Sequence, residues 1–221
     1  YAVYALDHLG HGKSEGEREV VNRFTDYTET LAIYHGMVRD WQPDKPIFLL
    51  GHSMGGLITT YYLLDHQSEV EGAVISAPAI KAGDVSQATV IMGKLLSALA
   101  PKTGVLALDP SHVSRDPAVV EAYVNDPLVF HDKTPARLAA EMMKAMQRVD
   151  AEMEQITVPF IALQGAADKL VDPGGARMLY ERAGSEDKTL KVYEGLYHEV
   201  FNEPERDRVL ADVEAWLAAH V

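Results

Sequence analysis

A serine stands between two glycines where an apolar run ends. In FLLGHSMGGL, residues 48–57, the segment GHSMG has the form G-x-S-x-G. Between a strand and a helix, this pattern is typical of a tight turn that exposes the serine hydroxyl above a sheet. The next N–H, at the helix N-terminus, is well placed to donate to a developing oxyanion. The sequence therefore predicts Ser53 as a nucleophile and Met54 as an oxyanion-hole donor. The alternative is an ordinary glycine-rich turn.

A serine nucleophile needs a base, and the base needs an acid that orients it. On sheets of this kind the three residues follow one another in the order serine, acid, histidine. Asp168 follows the apolar run PFIALQ, and His198 follows the run TLKVYE. Both would lie at carboxyl ends of strands, where open α/β sheets bind ligands. Asp172, farther into the same loop, is the rival acid.

Short apolar runs alternate along the chain with longer segments of helical spacing. The near-continuous hydrophobicity of the runs favours strands of a parallel sheet that is covered on both faces. The predicted strands are YAVYAL (1–6), IFLLG (47–51), GAVISA (72–77), PFIALQ (159–164) and TLKVYE (189–194). The predicted helices of the core are 25–41, 54–67 and 205–220, the last with an apolar stripe of Val209, Leu210, Val213, Trp216 and Leu217. This alternation predicts an α/β fold with a mostly parallel sheet and helices on both faces.

Residues 81–155 interrupt the alternation, because they contain helical patterns and a loop-rich segment but no predicted strand. We interpret them as a helical cap inserted into a core formed by residues 1–80 and 156–221. Apolar side chains of the cap are expected to line an acyl tunnel. They are Ile91, Leu95, Leu96, Met142 and Met146. The alternative is that these side chains only pack the cap onto the core.

The composition excludes several classes of function. The 221 residues carry a formal net charge of −13, which argues against nucleic acid as a partner because phosphate binding needs basic patches. The chain has no cysteine, so disulfides, thiolate catalysis and cysteine-based zinc sites are excluded. The spacing of the histidines favours no metal site, and the predicted chemistry needs no metal or organic cofactor. Apolar contact of the cap with a lipid surface remains open.

No secretory signal pattern opens the sequence. The longest apolar segment, residues 88–100, is interrupted by Lys94 and is too short to span a bilayer. We therefore expect a soluble, cytoplasmic protein.

The motifs together resemble the monoacylglycerol lipases, in the lysophospholipase-like branch of the α/β-hydrolases. The segments that carry the resemblance are GHSMGG (51–56), DHLGHGKSEGER (7–18), AYVNDPLV (122–129), QGAADKLVDP (164–173) and DKTLKVYEGLYHEVFNE (187–203). The resemblance implies cleavage of monoacylglycerols to glycerol and fatty acid through an acyl-enzyme on Ser53, with Asp168 as acid and His198 as base. It also implies that Tyr123 lies near the alcohol end of the substrate pocket.

The resemblance has one gap. The family carries an HG-x-x-x type motif on an earlier strand, which supplies the second oxyanion donor, and nothing like it precedes Tyr1. We therefore expect an N-terminally incomplete sheet and a poor hydrolase. A homo-oligomer or a further segment would complete the sheet, or the strand at 1–6 would pair directly with the strand at 47–51, which we favour. The functional alternatives are a broader carboxylesterase or lysophospholipase, and a catalytically impaired fragment or binding module.

Overall fold

The structure, a computed structural model, describes residues 1–82 and 87–221, so residues 83–86 of the predicted cap lie outside the described residues. The helices are α1 (Thr25–Trp41), α2 (Met54–His66), α3 (Gln87–Leu99), α4 (Pro117–Asn125), α5 (Ala136–Glu152), α6 (Gly174–Arg182) and α7 (Arg206–Ala218). The strands are β1 (Phe48–His52), β2 (Gly72–Ser76), β3 (Gly104–Leu106), β4 (Thr134–Pro135), β5 (Phe160–Gly165) and β6 (Lys188–Tyr193).

A parallel sheet in the order β1-β2-β5-β6 confirms the strands predicted from residue 47 onward. Every residue of β2 and β5 is buried, which explains why their sequences are apolar without alternation. Strand β1 lies at the edge of the sheet, and Leu50 in it is 60% exposed. The register pairs His52 with Ser76, so the end of β1 lies beside the end of β2.

The predicted strand at 1–6 is wrong. Residues 1–6 form no strand, and among the described residues β1 pairs only with β2. The favoured pairing of residues 1–6 with 47–51 is therefore wrong as well. Tyr1 and Val3 are 75% and 88% exposed. An apolar run forms a strand only when a neighbouring strand receives its backbone hydrogen bonds and a core covers its side chains, and this run has neither.

The C-terminal helix covers one face of the sheet. Val209, Val213 and Trp216 of α7 belong to one buried cluster with Val74 of β2 and Ile161 of β5. Leu217 is partly buried against the same cluster, whereas Leu210, predicted on the same stripe, is 50% exposed. Helix α2 packs against β1 and β2. The strand ends that carry the predicted site are thus fixed by packing.

The described residues form two compact units. One comprises 46–82, 109–123 and 145–221 and contains the parallel sheet; the other comprises 1–45, 87–108 and 124–144. The predicted insertion contains two features that the sequence analysis missed. Strands β3 and β4 form a short antiparallel pair, and the segment predicted as loop-rich contains α4. Pro117 begins α4, and the Asp116 carboxylate accepts the Ala118 N–H at 2.9 Å, a common way for a helix to begin.

A buried tyrosine organises the N-terminal loop. Tyr27 of α1 has no exposed surface, and the ring of His8 packs against it edge-on at 5.3 Å between centroids. Burial, and then the nearby His11, lower the pKa of His8 to about 4. His8 is therefore neutral in the folded protein at neutral pH.

Across residues 1–82 and 87–221, no helix combines the length and the apolar character that a membrane-spanning segment requires.

Candidate active site

The backbone at Ser53 makes the sharp turn that the sequence predicts. Ser53 has φ 55° and ψ −118°, a conformation that costs a residue other than glycine about 1–3 kcal/mol. Neighbouring hydrogen bonds hold it: Ser53 N–H donates to Ser76 O at 3.0 Å, and Ser53 O accepts from Ala79 N–H at 3.1 Å. A Cβ at Gly51 would lie 2.3 Å from Gly55 O, so only glycine fits there. At Gly55 itself a Cβ would meet nothing within 4 Å.

Met54 is the first residue of α2. The first N–H groups of a helix have no intrahelical acceptor, and the helix dipole favours negative charge beside them. The Met54 N–H is therefore suited to donate a hydrogen bond to an anion that forms next to Ser53.

Asp168 and His198 meet in the interior of the protein. His198 Nδ1 lies 2.8 Å from Asp168 Oδ2, and the two residues are 5% and 7% exposed. Gln164 Nε2 also donates to Oδ2 at 3.0 Å, while the N–H groups of Leu170 and Val171 donate to Oδ1 at 2.8 and 3.1 Å. Burial alone would raise the pKa of Asp168, but the contact with His198 and the two backbone donors outweigh it and lower this pKa. The carboxylate is thus ionised, and each of its oxygens accepts two hydrogen bonds.

The rival acid has a different partner. Asp172 Oδ2 pairs with Lys81 Nζ at 2.9 Å, and Asp172 Oδ1 accepts the Gly174 N–H at 2.8 Å. The hydrogen bond with Lys81 is the main cause that lowers the pKa of Asp172. Neither oxygen contacts His198.

A glycine at the end of β5 lets the two loops approach each other. A Cβ at Gly165 would lie 2.1 Å from Tyr197 O, which is closer than any real contact. Glycine is therefore required where the strand that leads to Asp168 meets the loop that carries His198. Ser53 Oγ and His198 form no hydrogen bond among the described residues. Such bonds are often long before substrate binds.

Comparison with known proteins gives the family. A profile described as "Serine aminopeptidase, S33" matches residues 1–205. The monoacylglycerol lipase of Mycolicibacterium smegmatis is 43% identical over 99% of this chain and 79% of its own length. The chain belongs to the monoacylglycerol lipase family. The human monoglyceride lipase is 38% identical over 98% of this chain and 73% of its own length. The crystal structure of the Paleococcus ferrophilus monoacylglycerol lipase has a TM-score of 0.86 at 32% identity, covering 96% of this chain and 81% of the other. The α/β-hydrolase fold is thereby confirmed.

The predicted substrate residues of this monoacylglycerol lipase relative fall in both compact units. Ile91 and Leu95 are 67% and 53% exposed, and Leu96 is half-buried in the same helix. Met142 belongs to the same unit and is half-buried. Met146 and Tyr123 belong to the other unit and are also half-buried. Their shared lining of one tunnel stays a prediction.

Two polar side chains beside Asp168 and His198 were missed. Gln164 is 1% exposed and binds Asp168; the signal was a glutamine that ends the otherwise apolar run PFIALQ. The ring of His52 lies 4.6 Å from the ring of His198, and His52 Nδ1 is 3.1 Å from Ser76 Oγ. Burial, and then His198 nearby, lower the pKa of His52 to about 3, so this ring stays neutral beside His198. In the sequence, His52 is only one of the two variable positions of the G-x-S-x-G pattern.

Proposed function

We propose that this protein hydrolyses monoacylglycerols to glycerol and fatty acid, with Ser53 as nucleophile, His198 as base and Asp168 as the acid that orients it. The 2.8 Å contact between His198 Nδ1 and Asp168 Oδ2 carries the proposal, since it occurs on the sheet that also carries the Ser53 turn. The family supports the substrate class, because its named members cleave monoacylglycerols. A carboxylic ester hydrolase is the reaction type that fits both observations.

The reaction runs in two steps. His198 Nε2 takes the Ser53 Oγ proton while Oγ attacks the ester carbonyl, and the Met54 N–H stabilises the oxyanion that forms. The tetrahedral species collapses, the C–O bond to glycerol breaks, and glycerol leaves with the proton from His198. Water then gives a proton to His198 and attacks the acyl-enzyme. Ser53 leaves with that proton and the fatty acid is released. Asp168 stays ionised throughout and stabilises the histidine when it is charged.

The cap is proposed to define the substrate. Residues 81–155 would form it, and Ile91, Leu95, Leu96, Met142 and Met146 would line the acyl tunnel. Tyr123 would contact the glycerol end. An apolar tunnel favours long chains because each buried methylene contributes up to ~0.8 kcal/mol.

The cap is also proposed to touch lipid surfaces transiently. Ile91, Met92, Leu95 and Leu99 are 67%, 64%, 53% and 76% exposed and share one face of α3. A soluble domain rarely leaves such a face without a partner, and an acidic protein would bind lipid through apolar contact rather than charge. Leu99→Glu should weaken sedimentation with phosphatidylcholine vesicles, whereas Leu210→Glu, at an equally apolar and 50% exposed position of α7, should not. Equal binding by both variants would remove this proposal.

A fluorophosphonate probe followed by a substrate panel tests the proposal as a whole. The folded protein should be labelled on Ser53, and Ser53→Ala should not be labelled. Monoacylglycerol should be cleaved faster than a lysophospholipid or an amino-acid amide. Faster cleavage of lysophospholipid or of short synthetic esters would favour the broader esterase. No labelling of folded protein would favour a binding module. The cytoplasmic location and the oligomer or further segment that completes the sheet at β1 stay predictions.

A further inference from the structure

A carboxylate with no exposed surface lies in the loop that carries His198. Glu203 is 0% exposed, and each of its oxygens accepts a hydrogen bond. Oε1 accepts the N–H groups of Tyr197 and Arg115, both at 3.0 Å, and Oε2 accepts Arg115 Nε at 2.7 Å. Glu203 therefore binds the residue directly before His198 and a residue far from it in sequence.

Further hydrogen bonds join the same two segments. The Glu199 N–H donates to Val113 O at 2.8 Å, and Ser114 Oγ donates to Asn202 O at 3.1 Å. The Arg115 guanidinium also pairs with Glu205. Residues 113–115 and 197–205 are thus joined on both sides of His198, and the first of these segments leads directly into α4.

In this ion pair the carboxylate is fully buried and the Arg115 side chain is 33% exposed. Burying the carboxylate offsets much of the attraction between the two charges, so the pair is a poor source of stability. What such a pair does provide is fixed geometry, since charge-assisted hydrogen bonds are short and directional. The Tyr197 N–H is held by Glu203, and the next residue must keep its Nδ1 at 2.8 Å from Asp168. The pair therefore acts on the position of the base.

We propose that Glu203 and Arg115 are positioning residues of the esterase, which hold the Tyr197 backbone so that the His198 ring stays aligned with Asp168. The inference rests on the proposed role of His198 as base. It assigns a function to side chains that contact no reacting atom, and it makes the segment that leads into α4 part of the support of the catalytic base.

Glu203→Gln and Arg115→Met test the proposal, because the first keeps the shape of the side chain and the second removes the charge from a side chain that is only 33% exposed. Arg148→Met is the matched control. Arg148 is 28% exposed and binds the Asp65 carboxylate through both of its terminal nitrogens at 2.7 and 2.9 Å, but it contacts nothing in the His198 loop. Arg115→Lys, which keeps the charge, should restore part of what Arg115→Met loses.

Two readouts separate positioning from general stability. With a short soluble ester, Glu203→Gln and Arg115→Met should lower kcat about 10- to 100-fold with KM nearly unchanged, because small misplacement of a catalytic group has effects of this order. Arg148→Met should change kcat less than about 2-fold. The downfield proton NMR signal of the His198 Nδ1–H bound to Asp168 should weaken or shift in the first two variants and persist in the control.

The outcomes are distinguishable. If Glu203→Gln folds and retains both kcat and the NMR signal, the pair does not position His198. If Glu203→Gln or Arg115→Met fails to fold, the NMR signal and the kcat of Arg115→Lys decide whether the pair positions His198, since that substitution is the mildest. If the wild type itself neither hydrolyses esters nor reacts with a fluorophosphonate, the proposed function has failed. In that case, the NMR signal still reports whether Glu203 and Arg115 hold His198 against Asp168.

Discussion

Replacing Asp168 by asparagine should abolish most activity while leaving the fold almost intact. Its Oδ1 accepts two backbone N–H groups that cannot move, so the amide oxygen of asparagine must take that place. The amide NH2 then takes the place of Oδ2. In the wild type this oxygen accepts from His198 Nδ1 at 2.8 Å and from Gln164 Nε2 at 3.0 Å. Gln164 can rotate its amide so that Oε1, which has no partner among the described residues, accepts from the new NH2, but its Nε2 then leaves Gly165 O, to which it donates at 3.1 Å in the wild type.

His198 responds to the substitution by changing its tautomer. To accept a hydrogen bond from the new NH2, its Nδ1 must lose its proton, so the proton moves to Nε2 and the ring can no longer take the proton of Ser53. Trapping the base of such a triad in the wrong tautomer lowers kcat about 10⁴-fold, or ~5.5 kcal/mol of transition-state stabilisation. The loss of stability should be about 1–3 kcal/mol, since the rotated Gln164 amide gives up its buried hydrogen bond to Gly165 O.

The measurement is steady-state hydrolysis of a soluble short-chain ester, with thermal unfolding of the same samples followed by circular dichroism. Asp172→Asn is the control, because the oxygens of Asp172 bind Lys81 and Gly174 and not His198. It should change kcat less than about 3-fold. The reasoning is wrong if Asp172→Asn proves the more damaging substitution, or if Asp168→Asn keeps a tenth or more of the wild-type kcat.

Three further predictions follow from the same structure. Ser53→Ala and His198→Ala should each reduce ester hydrolysis to near background, and substantial activity in either variant would displace that residue from the triad. In a series of p-nitrophenyl esters, kcat/KM should rise from C2 to C10, by up to ~4-fold per methylene; a flat or falling series would exclude the acyl tunnel. The stability of the wild type should fall as the pH falls from about 6.5 to about 4, because the unfolded chain then binds a proton at His8 that the folded protein excludes, its pKa being lowered to about 4. His8→Phe should lessen this fall by ~2 kcal/mol in urea unfolding, and equal pH dependence in both proteins would contradict the burial argument.

The sequence was most informative about the strands of the parallel sheet. Val74 and Ile161 stand in runs that are apolar throughout, and such runs form central strands of a parallel sheet. Ser53, Asp168 and His198 were predicted as a triad from their order and from their positions after strands, and the structure brings Asp168 and His198 into contact. The run at 1–6 is also apolar but has no partner strand. Whether a strand forms depends on a second segment that pairs with it, and the sequence of the first segment does not reveal that partner.

The partners of individual side chains were harder to predict from the sequence. Nothing in the local sequence distinguishes Glu203 from the many exposed glutamates, because its burial depends on Arg115, which is far away in the chain. The same holds for Asp172, whose pairing with Lys81 the local sequence does not reveal. Long-range pairs of this kind are decided by the packed fold. Helix α4 was missed for a local reason, since the prolines and aspartates around it favour loops as readily as helix starts.

The turn at Ser53 has a consequence for directed evolution. Serine at φ 55° and ψ −118° is strained by about 1–3 kcal/mol, and glycine at this position would not be. Glycine would in turn lower the free energy of unfolding by about 0.5–1 kcal/mol, because it is more flexible in the unfolded chain. Ser53→Gly should therefore melt at a higher temperature than the wild type while being inert. A laboratory selection that scores only heat resistance would reward the loss of the proposed nucleophile. Libraries of this protein must be screened for ester turnover at every round, because thermal tolerance and chemistry are in direct conflict at this position.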